Sequence, residues 1–168
     1  MNRKLLRQAQ SALVIQDVLL HSSEVKAGER FSPFRQLPDA ALSTQYKFGT
    51  TGKFRYSIDN EKEKHTLLEY RYETGLRMFE AGSSKSDNKE DNAETSLPLV
   101  EIETKFSAVY LLVDENISEE ALDEFAKHNV GLNAWPYWRE YAAATLSRMR
   151  LPPVVIPFYQ VPDEAEES

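Results

Sequence analysis

The sequence predicts an α+β domain of two layers, in which four antiparallel strands precede two helices. Two observations predict this order. Apolar and polar residues alternate in several runs between residues 11 and 113, whereas apolar residues recur at steps of three and four between residues 117 and 149. The length of 168 residues suits one domain with a core of its own, and no internal repeat marks a second. We therefore interpret residues 1–168 as a single domain.

The first strand is predicted over residues 11–25. Residues 1–10, ahead of it, are expected to be a flexible arm or a frayed helical turn. The apolar positions of the strand change phase between Ile15 and Val18. Because side chains alternate strictly between the two faces of a strand, this change indicates a bulge near Gln16–Asp17.

A loop or crossover follows at residues 27–42 and carries Phe31 and Phe34. The second strand is predicted over Gln45–Ile58, where Gly49–Gly52 interrupts the pattern, so that one kinked strand and two short strands both fit. Its large apolar residues all occupy even positions: Tyr46, Phe48, Phe54, Tyr56 and Ile58.

The third and fourth strands are predicted over His65–Glu80 and Leu99–Val113. Residues 82–96 between them contain no large apolar side chain and are expected to form a mobile loop. The end of the fourth strand, Val109–Val113, is apolar on both faces, which indicates cover by another element or another subunit. The carboxylates of both strands are expected on a solvated polar face: Glu69, Glu73, Glu101 and Glu103.

A shorter helix is predicted over Ile117–His128, capped by the Ser118 side chain. Gly131 is expected to separate it from the main helix. In that helix Asn133 is the expected N-cap, and Pro136 is tolerated because the first turn needs no backbone donor. One face of the main helix carries Trp135, Trp138, Ala142, Leu146 and Met149.

Pro152 and Pro153 end the main helix, because proline cannot continue the backbone hydrogen bonding. An apolar extended segment follows over Val154–Tyr159. Residues 161–168 form an acidic tail that we expect to be disordered.

Composition excludes several classes of function. The net charge of −7 argues against nucleic-acid binding, which needs a surplus of lysine and arginine. The absence of cysteine excludes disulfides, thiol nucleophiles and cysteine zinc sites, and it permits a reducing cytoplasm. No apolar run approaches the length of a membrane span, and the run after the basic N-terminus is too short for a secretory signal.

No catalytic, cofactor or metal motif is present. His21, His65 and His128 are far apart in sequence, and none has a ligand partner at metal-binding spacing. The sequence contains no nucleophile elbow, no phosphate-binding glycine loop and no zinc protease motif. We therefore predict a protein that is not an enzyme and that carries no catalytic residues, cofactor or metal.

The distinctive feature is a surplus of aromatic residues, with 8 Phe, 8 Tyr and 2 Trp. A short helix cannot cover a four-stranded sheet face, so some apolar area remains for an interface or a binding groove. For Trp135 and Trp138 the alternative is core or subunit packing, and for Phe31 and Phe34 it is local packing within the loop. The candidate binding residues are Phe31, Phe34, Phe54, Tyr56, Trp135, Trp138, Tyr141, Phe158 and Tyr159.

The C-terminal third resembles the SecB-like chaperones. The order N-x-W-P-Y-x-R-E, then a short helix, L-P-P and an apolar strand ending P-F-Y, is similar to that family over nearly thirty positions. The matching residues are Pro136, Tyr137, Arg139, Glu140, Pro152, Pro153, Pro157 and Phe158. Ile15–Gln16 also matches an I-Q pair in the first strand of the family.

The resemblance implies a cytoplasmic, ATP-independent holdase that assembles as a homotetramer, a dimer of dimers, with no cofactor. Its grooves would hold an unfolded polypeptide client, either a preprotein destined for export or a labile antitoxin. In the export chaperones, acidic residues of the first strand help to dock the SecA ATPase.

Departures from the export chaperones favour the toxin–antitoxin–chaperone branch, some members of which serve phage defence. Residues 21–26 keep a single acid, Glu24, and no long C-terminal helix is expected after Tyr159. SecA binding is therefore not expected. The alternatives are a preprotein export chaperone that delivers clients to SecA, and a structural adaptor subunit that uses the apolar face for one folded partner.

Overall fold

A computed structural model of the chain describes residues 1–35, 42–59, 64–80 and 97–160. The loop at 82–96 and the tail at 161–168 lie outside the described residues. Helices and strands follow along the chain as α1 Arg3–Ala12, β1 Leu13–Ala27, β2 Leu42–Asp59, β3 Lys64–Glu80, β4 Val100–Leu112, α2 Glu119–His128 and α3 Val130–Arg148. The predicted α+β class and the four strands are confirmed.

The four strands form one antiparallel sheet in the order β1–β4–β3–β2. Because β4 lies between β1 and β3, the first and second strands are the two edges. The predicted bulge in β1 is confirmed at Gln16, and a second bulge lies at His21. We call the sheet face against the helices the inner face and the opposite one the outer face.

Strand β2 is continuous, with a bulge at Thr51 that settles the two alternatives left by the sequence. The bulge also changes which face its aromatic residues occupy. Phe48 pairs with Thr74 and lies on the inner face, whereas Phe54 pairs with Glu69 and lies on the outer face. The expectation that all even positions of this strand share one face is therefore wrong.

The inner face of β3 and β4 is the centre of the core. Its members pair row by row and are all buried: Leu68, Tyr70, Tyr72, Leu76, Met78, Val100, Ile102, Phe106, Ala108, Tyr110 and Leu112. On the outer face Glu69 is also buried, at 7% exposure. The expectation that this carboxylate belongs to a solvated face is wrong, because neighbouring polar side chains enclose it.

The N-terminal residues form helix α1, which replaces the flexible arm and extends well beyond the frayed helical turn that the sequence left open. The Asn2 side chain caps it by accepting from the backbone N–H groups of Lys4 and Leu5. Ala9 and Ala12 are buried, and α1 packs against α2. Small side chains at these positions allow the two helices to approach closely, which gives the helix the tertiary support that a short isolated helix lacks.

Helix α2 has the predicted cap, because the Ser118 hydroxyl accepts from the Ala121 N–H at 3.3 Å. Helix α3, however, begins at Val130, so Gly131 lies inside it and Asn133 is not its N-cap. The Asn133 side chain instead donates to the Tyr110 hydroxyl at 2.9 Å, a tertiary contact that replaces the predicted local one.

An aromatic cluster joins the sheet to the helices. Phe125 of α2 meets Tyr110 edge-on, with ring centroids 5.2 Å apart, and also contacts Tyr70. The Tyr70 hydroxyl donates to the Leu122 carbonyl at 3.0 Å. Burial raises the pKa of Tyr110 to about 12, so its hydroxyl stays neutral in this cluster.

Helix α3 ends in a Schellman turn, in which Leu151 N–H donates to the Leu146 carbonyl at 3.1 Å and Arg150 N–H to that of Ser147 at 3.0 Å. Arg150 has φ of 58°, a left-handed conformation that costs a residue other than glycine about 1–2 kcal/mol. In the described part of the chain, no helix has the length and apolar character needed to cross a membrane.

Two glycines provide a matched test of packing, Gly28 directly after β1 and Gly49 within β2. Gly28 lies against the Pro98 carbonyl, where an added Cβ would collide, whereas Gly49 has open space around it. We expect Gly28→Ala to destabilise the protein by roughly 1–3 kcal/mol through overpacking. Gly49→Ala should change stability by less than about 1 kcal/mol. Urea unfolding of both variants measures the difference, and equal midpoints would contradict this packing.

Candidate functional site

Strand β1 leaves an apolar stripe uncovered at the edge of the inner face. Ile15, Leu20 and Val25 pair with buried residues of β4, yet each is 40–46% exposed. The described elements leave these three residues half exposed, although Val18, between Ile15 and Leu20 on the same face, is buried. We call these three residues the edge stripe.

A second apolar surface crosses the outer face in a straight row. The register places Val14, Leu111, Leu67 and Tyr56 side by side, one from each strand. Phe54 lies in the next row and is 43% exposed. We call these five residues the outer row. The row spans all four strands, so it forms a continuous apolar patch, whereas exposed apolar residues on an ordinary protein surface are scattered singly.

A polar network is set into the outer face beside the outer row. Glu69 accepts hydrogen bonds from Tyr56 at 2.9 Å, from Ser107 at 2.6 Å and from the Arg71 guanidinium. Burial raises the pKa of Glu69, but these three donors outweigh it and hold the pKa below its ordinary value. The buried carboxylate is thus kept ionised and neutralised by its neighbours.

Arg71 links this network to the aromatic surface. Its guanidinium lies 5.0 Å from the centre of the Phe54 ring and donates from Nη1 to His21 Nε2 at 2.6 Å. The positive charge of Arg71 therefore interacts with the Glu69 carboxylate, the face of the Phe54 ring and the His21 imidazole. This arrangement allows apolar side chains and a charged group to occupy one surface.

The other end of the outer face is charged and paired. Lys47 meets Glu103, Lys105 meets Glu73 at 2.7 Å, and Arg77 meets Glu101 at 2.5 Å. A hydrogen bond from Lys47 lowers the pKa of Glu103. A cavity of about 180 Å³ is lined by the first two of these pairs and by Ser22, Ser23 and Glu24 of β1. The described residues contain no cluster of three His, Asp or Glu able to hold a metal ion.

The third apolar surface is a groove between α3 and β2, occupied by the chain after α3. Trp135 is the wall on the helix side and Phe48 the wall on the strand side, with ring centroids 5.1 Å apart. Tyr159 packs against both, at 5.5 Å from Trp135 and 6.1 Å from Phe48. Phe158 points outward, 81% exposed, below the Arg139 guanidinium at 4.9 Å.

The nine candidate residues do not form one site. Trp135, Phe158 and Tyr159 meet at the groove, whereas Phe54 and Tyr56 lie on the outer face. The others lie elsewhere: Phe31 and Tyr141 pack against the core, Trp138 is fully buried in it, and Phe34 is 84% exposed near Arg150. For Trp138, the alternative interpretation of core packing is therefore the correct one.

Sequence reasoning missed Phe48, the edge stripe and most of the outer row. The alternating pattern contained their apolar character, but the bulges at Gln16, His21 and Thr51 decided the faces of those on β1 and β2. The acceptor role of Glu69 had no sequence signal, because its three donors come from three different strands.

No family model and no curated protein sequence matches the chain. Among solved structures it is similar to Mycobacterium tuberculosis Rv1957, described as a SecB-like chaperone in complex with a ChAD peptide from the Rv1956 HigA1 antitoxin. The match has 17% identity and a TM-score of 0.68, and it covers 96% of this chain and 100% of that one. The chain therefore has the SecB-like fold, and the fold implied by the sequence resemblance is confirmed.

The Glu69 network predicts a pH-dependent contribution to stability. We expect Glu69→Gln to lower the free energy of unfolding by about 1–3 kcal/mol near neutral pH, since buried donors lose a charged acceptor. Because folding lowers the pKa of Glu69, the ionised carboxylate stabilises the folded state at pH values above its ordinary pKa of 4.5. This stabilisation is lost as the pH falls through the lowered pKa. The difference in free energy of unfolding between Glu69→Gln and wild type should therefore become smaller at acidic pH.

The matched control for this variant is Glu73→Gln, which lies on the same strand and face. Its side chain is 35% exposed and forms a surface ion pair with Lys105. Such pairs contribute less than about 1 kcal/mol. Urea unfolding at neutral and acidic pH distinguishes the two variants, and equal losses would show that Glu69 is not specially held.

Proposed function

We propose that the protein is an ATP-independent holdase chaperone that binds unfolded or aggregation-prone polypeptide on apolar surfaces. The observation that carries this proposal is the apolar area left uncovered within a SecB-like fold: the edge stripe and the outer row. Of the candidate contacts from the sequence, Phe54 and Tyr56 lie on the outer row. Phe158 is exposed beside the groove and Phe34 is exposed near Arg150, whereas Tyr159 fills the groove from within the chain.

Apolar burial suits such a task because it is not directional. Removing apolar surface from water contributes roughly 25 cal/mol per Å², whatever the order of the residues that supply it. Several separate surfaces on one chaperone also let one client make several contacts, which raises the overall affinity. No step in this mechanism requires a nucleotide, a metal or a catalytic group, so we propose that the protein is not an enzyme.

We propose a labile antitoxin as the client, in a toxin–antitoxin–chaperone system. The similar chaperone Rv1957 is described with an antitoxin peptide, which supports this client class. Glu24, the one acid retained in the segment that matches the SecA-docking strand, is ion-paired with Lys26 at 3.0 Å. This pairing weakens the case for export to SecA. A structural adaptor that binds one folded partner is the remaining alternative.

We further propose a homotetramer, a dimer of dimers, in the cytoplasm. Strand β1 is a sheet edge 15 residues long, and a long edge strand with exposed apolar side chains is a template for pairing with a second copy. The edge stripe would then be buried between subunits.

The holdase proposal is tested by aggregation of a chemically denatured protein diluted into buffer. We expect light scattering to fall in proportion to added chaperone, equally with and without ATP, because binding rests on burial alone. An unrelated folded protein of similar net charge serves as the control. Unchanged aggregation at stoichiometric excess would contradict the proposal, and tight binding of a single folded partner would favour the adaptor.

The assembly is tested by charges placed in the edge stripe. We expect Leu20→Glu to reduce the oligomer to smaller species in analytical ultracentrifugation, because burying an unpaired carboxylate between subunits is strongly unfavourable. The control is Lys26→Glu, which changes charge on the same strand but on the outer face. A Leu20 variant with the mass of the wild-type assembly would exclude this stripe from the interface.

A further inference from the structure

The segment that follows α3, residues 151–160, occupies a groove of the kind that a client needs. Leu151 and Ile156 are buried, at 8% and 3% exposure, while Val155 between them is 87% exposed. The segment has no helix or strand assignment. We call it the strap.

The strap is held by side chains, with little help from the backbone. Its prolines at 152, 153 and 157 have no N–H to donate, and no strand of the described chain pairs with it. At its start the Leu151 N–H donates to the Leu146 carbonyl, and further along a hydrogen bond from the Trp135 indole N–H to the Pro157 carbonyl at 2.9 Å fixes its path. A segment without ladder hydrogen bonds can leave without breaking a sheet.

The groove is shaped to accept an aromatic ring. The Tyr159 ring packs against Trp135 and Phe48, which also contact each other, and it lies so close to Gly131 that any Cβ there would collide with it. Burial raises the pKa of Tyr159, which keeps its hydroxyl neutral in this position. The groove therefore offers an aromatic slot, an apolar seat and one donor for a main-chain carbonyl.

These features select a chemical class of ligand and not a particular amino-acid sequence. Any extended segment has a carbonyl for the Trp135 donor, and the slot takes any aromatic ring. The strap itself supplies an aliphatic residue at 156 and an aromatic residue three positions later. Arg150, directly before the strap, has φ of 58°, which is an unfavourable backbone conformation for a residue other than glycine. Displacement of the strap would begin at this residue.

We propose that the strap is an internal occupant of a client site, and that an extended client segment with aliphatic and aromatic side chains binds there by displacing it. This inference rests on the proposed holdase function and names one of its sites. The apparent affinity for client is then reduced by the fraction of molecules in which the groove is closed.

The test compares two variants of the full chain for binding of reduced, carboxymethylated α-lactalbumin, which is permanently unfolded. Tyr159→Ala weakens the strap, and we expect it to bind this client roughly tenfold more tightly because the open fraction rises. Val155→Ala alters the strap at a residue that is 87% exposed and should bind as wild type does. Equal or weaker binding by the Tyr159 variant would overturn the proposal.

A second measurement does not depend on that variant folding normally. The chain has no cysteine, so Val155→Cys takes a single spin label on an exposed position of the strap. We expect the label to become more mobile when the unfolded client is added. A label whose mobility is unchanged while client is bound would show that the client binds elsewhere, which defeats this inference but not the holdase function.

The two levels of failure are thus distinguishable. Absence of client binding by wild type and by Tyr159→Ala alike would defeat the holdase function and the strap together. Binding by Tyr159→Ala alone would support both, with the wild-type groove closed.

Discussion

A four-stranded sheet has two faces, and the described helices of this chain cover only part of one of them. The apolar sheet surface that these helices leave uncovered is the constraint on which the other features of the structure depend. The middle of the inner face is sealed by the contact of Phe125 with Tyr70 and Tyr110, and the rest must be hidden by other means or left exposed. The edge stripe and the outer row are what remains, and the strap is the chain's own solution for the groove beside α3.

The polar network explains how so much apolar surface coexists with charge. A lone buried carboxylate would be costly, but Glu69 is bound by donors from Tyr56, Arg71 and Ser107 and stays ionised. Arg71 in turn lies over the Phe54 ring. Charge is thus fixed in place next to apolar side chains, a combination that favours weak, sequence-tolerant contacts over collapse of the surface onto itself.

The proposed function and the strap follow from one physical balance. A holdase must bind apolar segments without sequence readout, yet its own apolar surfaces must not aggregate. An internal segment held mainly by side chains and by an indole hydrogen bond, without strand pairing, could cover such a surface and still be displaced. The edge stripe would be covered in a different way, by a second copy of the chain, because an edge strand offers backbone groups as well as side chains.

The sequence by itself determined the strands and the two later helices, because alternation and helical spacing are local patterns of burial. The bulge at Gln16 and the Ser118 cap were also predictable, since each depends on neighbours in the chain. Only the tertiary structure decided the fate of α1, the start of α3 and the faces of Phe48 and Phe54. Those outcomes depend on the contact of Ala9 with the helix layer, the bond from Asn133 to Tyr110 and an inserted residue at Thr51. Such contacts join residues far apart in the chain, and no local pattern encodes them.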